Sequence, residues 1–381
     1  MTHGRVFSVA NGRASHYTFA VMRQAARRVL GAAAAGFDVA VRRAMLASPG
    51  GMRRANTLRH EVRLSLLARL AKRYVKTGAG EHFFEAPQRI FPTEDVRLTW
   101  PDGSRVVDVS WASDYKAFLP EVEEEYDGYL ENRTATARLV AHPEPRPVAI
   151  LIHGYLGGMH RAERRVWPMR FWRRLGMDVA LFVLPFHGRR AERQFGSKPP
   201  FPGADPRITN EGFRQAMRDF QAFVGWLVER GHPHIGVMGM SLGGFSTALA
   251  ATLEARLSFA IPIIPLASIA ATARQNGHLG NTPEEEEAEY RALDAVYRVT
   301  SPLYRAPVVA PNRMMIVGAE ADQITPLVHS QNLADHFRCR LETMHGGHLM
   351  QFGRAERFRS IGRFLTELGI VHRGAHIGET K

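Results

Sequence analysis

A single cysteine, Cys339, stands among 381 residues. An internal disulfide is therefore impossible, and the paired-cysteine motifs of zinc ribbons and dithiol redox sites are excluded. That usage suits a reducing compartment, so the chain is expected in the cytoplasm. Long apolar runs are missing too. The nearest, "VLGAAAAGFDVAV", falls short of the roughly 18 residues a membrane-spanning helix needs and contains Asp38. Acid is scarce: 37 Asp and Glu face 50 Lys and Arg, a formal charge of +13. Such a surplus favours anionic partners. Nucleic acid is not expected among them, because the arginines are scattered and neither a zinc pattern nor an aromatic-rich recognition motif accompanies them. Peripheral contact with an acidic membrane is compatible with the charge. The first 37 residues hold five arginines and no acid. That resembles a transit peptide in composition, but the stretch lacks a strong serine bias and runs into further basic helix, which argues against import.

Residues 16–77 read as two helices, broken by "SPGG" at 48–51. In the second, Leu58, Val62, Leu66, Leu70 and Tyr74 recur every fourth position, with Leu67 and Ala71 beside them. Arg59, Arg63, Arg69, Lys72, Arg73 and Lys76 fill the remaining face against Glu61 alone. Such a helix can lie on an anionic membrane surface; packing on its own domain with a solvated basic face is the favoured reading. Residues 1–92 are thus expected to form a basic helical extension, and residues 93–381 a catalytic domain.

From Glu94 the period changes. "EDVRLTW" and "RVVDVSWASD" flank the turn "PDGS" as a hairpin, and "TATARLVAH" follows as a third strand. The runs "PVAILIHG", "DVALFVLPFHG", "HIGVMGMS", "FAIPIIPLA" and "RMMIVGAEAD" are too continuously apolar for half-exposed strands. Helix-forming segments such as 210–231 separate them. Buried strands alternating with helices predict an α/β fold with a mostly parallel sheet covered on both faces. Residues 268–310 interrupt the alternation as a small lid or cap, containing a helix that Thr282 can cap and Pro283 can open.

In "IGVMGMSLGG" a serine sits between glycines, after a strand and before a helix. The Gly-x-Ser-x-Gly pattern is weak alone; its context is that of a nucleophile on a strained strand-to-helix turn. A hydroxyl needs a base to be nucleophilic at neutral pH. The loop in "RLETMHGGHLMQFG" offers His348, preferred because the loop glycines precede it, and His345 as competitor. Asp322 in "GAEADQITP" is the preferred acid, with Glu320 in reserve and a strand-end salt bridge as its ordinary role. The order Ser241, Asp322, His348 follows, with spacings of 81 and 26. The backbone N–H groups of Leu242 and of Tyr155, in "HGYLGG", are the candidate oxyanion donors.

From about residue 94 onward the chain resembles an α/β-hydrolase: "HGYLGG", "GMSLGG", "GAEADQITP" and "GGHL" stand where that superfamily keeps oxyanion loop, nucleophile, acid and base. "DVALFVLPFHGRRAERQ" and the basic segment after "HGYLGG" are similar to the abhydrolase domain-containing 18-like branch. The superfamily resemblance implies an eight-stranded, mostly parallel sheet with helices on both faces. It also implies hydrolysis through an acyl-enzyme, with neither metal nor organic cofactor. The expected function is a serine esterase acting on a small-molecule or lipid ester or thioester. Arg161, Arg164 and Arg165, and Arg189 with Arg190, follow loops at the sheet's carboxyl edge and could bind an anionic head group. Trp167, Phe171 and Trp172 could meet acyl chains, although packing of helix on sheet is their simpler role. A peptidase of the same superfamily is disfavoured because no propeller-sized domain precedes the core. A membrane-peripheral basic scaffold with a vestigial site is the alternative from another class.

Overall fold

A computed structural model of the chain describes residues 24, 27–43, 58–76, 82–195 and 199–372. The "SPGG" break and most of the arginine-bearing first 37 residues lie outside them. Nine strands form one sheet: β1 (Thr93–Thr99), β2 (Arg105–Ala112), β3 (Thr134–Ala141), β4 (Val148–Ile152), β5 (Asp178–Phe182), β6 (Ile235–Met240), β7 (Phe259–Ile263), β8 (Met315–Ala319) and β9 (Arg340–Met344). Their order is β1-β2-β3-β5-β4-β6-β7-β8-β9. The first three strands and β5 pair antiparallel, and every pairing from β5 through β9 is parallel.

The sheet thus has one strand more than the resemblance implies. The extra edge is the expected hairpin: β1 pairs outward from β2, and all seven of its residues are exposed. Charges at Glu94, Asp95 and Arg97 suit an unpaired edge. By contrast β4, β5, β7 and β8 are buried at every position, as continuous apolar runs demand.

Helices cover both faces. Among them are α1 (27–43), α2 (His60–Lys76), α3 (His160–Val166), α4 (Met169–Arg174), α5 (Pro206–Glu229) and α6 (Leu242–Ala250). They continue with α7 (Ile269–Gln275), α8 (Pro283–Tyr297), α9 (Leu327–Phe337) and α10 (Arg354–Glu367). Phe213, Phe220 and Phe223 of α5 fill one face, and Trp167, Trp172, Phe358 and Phe364 the other. Helix α5 starts four residues earlier than the apolar pattern predicts, because Asp205 caps it, accepting from Arg207 N at 2.8 Å, and Pro206 opens it. Thr282 caps α8 as expected, accepting from Glu285 N at 3.2 Å.

Helix α2 packs on α8, and only the later half of the predicted stripe faces inward, with Leu70 and Ala71 packed against the core. Leu67 and Tyr74 are buried, while Leu58, Val62 and Leu66 are exposed. Arg63, expected on the solvated face, instead reaches the buried Glu289 at 2.8 Å, beside His60 at 3.0 Å. None of the described helices is long and apolar enough to cross a membrane.

Candidate active site

Strand β6 ends at Met240 and α6 begins at Leu242, leaving Ser241 on the turn at φ 58° and ψ −114°. A non-glycine residue persists there only when its surroundings impose it. Ser241 N donates to Ile263 O at 3.0 Å, and Phe245 N donates to Ser241 O at 3.0 Å. The flanking glycines are sterically required. A Cβ on Gly239 would lie 2.1 Å from Gly243 O, and one on Gly243 would lie 2.2 Å from Ile152 O. The helix start is pressed directly onto the ends of β4 and β6, so the serine has no other course.

The loop after β4 runs alongside, with Gly154 so placed that its Cβ would stand 3.6 Å from Ser241 Cβ. Among the described residues, neither Tyr155 N–H nor Leu242 N–H donates to a protein group. His153 holds this loop in place. Its Nε2 accepts from Leu184 N at 3.1 Å, so Nδ1 carries the proton and donates to Gly154 O at 2.7 Å. Burial, reinforced by the neighbouring His187, pushes its pKa down to about 3, against the smaller opposing effect of the Gly154 bond. His153 is therefore neutral. Nothing in the sequence separated it from the other sixteen histidines except its place in "HGYLGG".

His348 and Asp322 are both buried, and His348 Nδ1 lies 2.8 Å from Asp322 Oδ2. Asp322 is held in turn: Oδ1 accepts from Ile324 N at 2.8 Å and from Thr325 N at 2.7 Å. Thr325 Oγ1 stands 3.0 Å from Asp322 Oδ2, from His348 Nδ1 and from Ile264 O. Its one proton serves Asp322 or Ile264, while its lone pairs face the ring nitrogen. Two acceptors around Nδ1 keep the proton there and leave Nε2 as the basic nitrogen. Thr325 is a member of the site that sequence reasoning missed; "DQITP" carried no signal for it.

The three loops meet at one sheet edge. Ser241 is bonded to Ile263; the next residue, Ile264, receives the Thr325 hydroxyl, which also faces His348. Among the described residues no hydrogen bond joins Ser241 Oγ to His348. His345 and Glu320 stand apart as a more exposed pair, Nδ1 to Oε2 at 2.6 Å, which is the strand-end salt bridge expected for Glu320.

The arginines divide. Arg161, Arg164 and Arg165 are exposed on α3. Arg189 pairs with Asp108 at 3.1 Å. Arg190 cannot bind a substrate anion: it is fully buried, bonded to Asp219 at 2.8 Å and to Asn132 O at 2.9 Å. Desolvation demanded a carboxylate partner, and Asp219 supplies it. Trp167 and Trp172 are likewise buried, and Phe171 packs on Phe358 with ring centres 5.2 Å apart, so all three serve the core. Among the described residues no group of three or more His, Cys, Asp and Glu is placed to hold a metal ion. A cavity of about 590 Å³ lies between the 268–310 segment and α9, lined in part by Ser268, Arg274, Tyr290, Tyr304, Pro326 and His329.

Sheet order, parallel pairings and the serine turn define an α/β-hydrolase fold. Residues 208–353 match the model of the prolyl oligopeptidase family, a span that includes Ser241, Asp322 and His348. An uncharacterized protein of Mycobacterium tuberculosis strain H37Rv is 29% identical over 250 residues, which are 64% of this chain and 59% of that protein. The match thus covers somewhat over half the length of that relative. Among solved structures, acetyl xylan esterase 1 from Thermoanaerobacterium sp. JW/SL YS485 is similar with a TM-score of 0.52 and 15% identity, over 78% of this chain and 93% of that one. The acetyl xylan esterase from Paenibacillus sp. R4 is similar with a TM-score of 0.51 and 17% identity, over 77% and 93%. At such identities the likeness is one of fold.

Proposed function

We propose that the chain is a serine hydrolase that cleaves a carboxylic ester or thioester through an acyl-enzyme. Ser241 Oγ attacks the carbonyl carbon while His348 Nε2 takes its proton; Asp322 holds the ring and stabilises the imidazolium. The N–H groups of Tyr155 and Leu242 receive the developing oxyanion. His348 then protonates the leaving group, and water, activated by the same nitrogen, releases the acid. The observation that carries this reading is Ser241's strained φ and ψ on a strand-to-helix turn at the edge where a buried His348–Asp322 pair sits. An active-site fluorophosphonate should label Ser241, and p-nitrophenyl ester hydrolysis should vanish in Ser241→Ala.

Residues 93–381 form the catalytic unit in this reading, and the chain is cytoplasmic. A lipid ester with an acidic head group suits the exposed Arg161, Arg164 and Arg165, with Arg189 contributing only if it leaves Asp108. Faster hydrolysis of acidic than neutral liposomes would support this, and equal rates would refute it. The narrower resemblance to the abhydrolase domain-containing 18-like branch rests on "DVALFVLPFHGRRAERQ", where Arg190 and Glu192 are buried, and on the basic segment after "HGYLGG". The match to the prolyl oligopeptidase family favours a second reading, cleavage of an amide bond. Comparing an ester with its isosteric anilide separates the two.

A further inference from the structure

We infer that Asp38, on helix α1 far outside the matched hydrolase segment, is a positioning residue for His348. The inference rests on the proposed hydrolase reading. Asp38 is fully buried, and its carboxylate is spent on the two loops that carry the base and the acid. Oδ2 accepts from His348 N at 2.6 Å and from Gln323 N at 3.3 Å, and Oδ1 accepts from Leu349 N at 3.1 Å. One side chain thus bonds the backbone of the proposed base itself and of the residue after the proposed acid. Arg42, one helical turn later, donates to Gln323 O at 2.8 Å, and Gln275 of the cap reaches the same oxygen at 3.2 Å.

The loop is built to admit this carboxylate. A Cβ on Gly347 would stand 2.3 Å from Asp38 Oδ2. Gly346 beside it sits at φ 103° and needs glycine for its backbone, whereas Gly347 is not among the glycines with positive φ. Gly347 is therefore required for Asp38's approach. Charge-assisted bonds to backbone N–H groups are stronger than neutral ones, and a buried carboxylate survives only when its partners are well placed. Such a clamp fixes the main chain from which the imidazole projects, whereas Asp322 and Thr325 fix the ring. Helix α1 accordingly completes the catalytic edge.

The test uses the full chain with Asp38→Asn, Asp38→Ala, Gly347→Ala and the Asp38→Ala/Gly347→Ala pair, assayed on p-nitrophenyl acetate and titrated with a fluorophosphonate. Asp38→Ala should lower kcat about a hundredfold, the cost of a misplacement near 1 Å, with KM changed less than about threefold. The labelling endpoint should stay near one per chain while its rate falls with kcat. Gly347→Ala should fall comparably. The double variant should be no worse than the weaker single, because both changes break one contact. Asp38→Asn, which keeps one acceptor, should lie between. Unchanged kcat in Asp38→Ala, strictly multiplicative losses in the pair, or a loss of kcat matched by a loss of labelling endpoint would each overturn the positioning role alone. A wild-type chain that neither hydrolyses nor is labelled would overturn the hydrolase reading and this inference with it.

Discussion

Two histidine–carboxylate pairs stand on the same two loops, His348 with Asp322 and His345 with Glu320. Their N–O distances are alike, 2.8 and 2.6 Å. Their surroundings are not. In the first pair the side chains are 8% and 0% exposed; in the second they are 35% and 47% exposed. The first also has Thr325 on the ring nitrogen, two backbone N–H groups on the carboxylate and Asp38 on the main chain. The contact is common to both. In the proposed mechanism it is this buried and supported pair that serves Ser241.

The sharpest way to break that comparison is to exchange the roles by mutation. His348→Gln should lower kcat on p-nitrophenyl acetate by about a million-fold, and His345→Gln by less than about twofold. Comparable losses would erase the distinction. Next, Asp322→Asn should cost about ten-thousandfold through loss of the correct tautomer, whereas Glu320→Gln removes a solvent-screened pair and should leave kcat nearly unchanged.

The same contrast holds for the adjacent arginines and is read in stability. Arg190→Met leaves the Asp219 carboxylate buried without its charge partner and should cost about 3–5 kcal/mol in urea unfolding. Arg189→Met, at a half-exposed pair, should cost less than about 1 kcal/mol.

A further contrast is read in acid. Burial holds His153 at a pKa of about 3 and His187 at about 4. Both lie below the unfolded value near 6.5, so protonation favours the unfolded chain. Their contribution is present above pH 6.5 and is lost as pH falls toward 3. His153 alone should withdraw about 3 kcal/mol by pH 4. His187→Gln should flatten the pH profile of the melting temperature on the acid side.

How much of this was legible in the sequence follows from how local each feature is. Strand-to-helix transitions, the cap at Thr282 and the crowded glycines around Ser241 are set by neighbours in the chain, and their residue types announce them; the Asp205 cap, lying before the apolar pattern begins, was missed. Asp38 acts on His348 across 310 positions. Thr325 looked like any loop threonine. Arg189 and Arg190 are adjacent and identical in type, and only the side chain's direction decides which is buried. The first half of the α2 stripe misled: Leu58, Val62 and Leu66 are exposed, while Arg63 faces inward to Glu289, 226 positions away and silent in the local sequence.

The central claim is tested most directly by mass spectrometry of the fluorophosphonate-treated protein. The account predicts one adduct, on Ser241, formed at the wild-type rate in His345→Gln and all but lost in His348→Gln. An unlabelled Ser241, or labelling that depends on His345 rather than on His348, would contradict it.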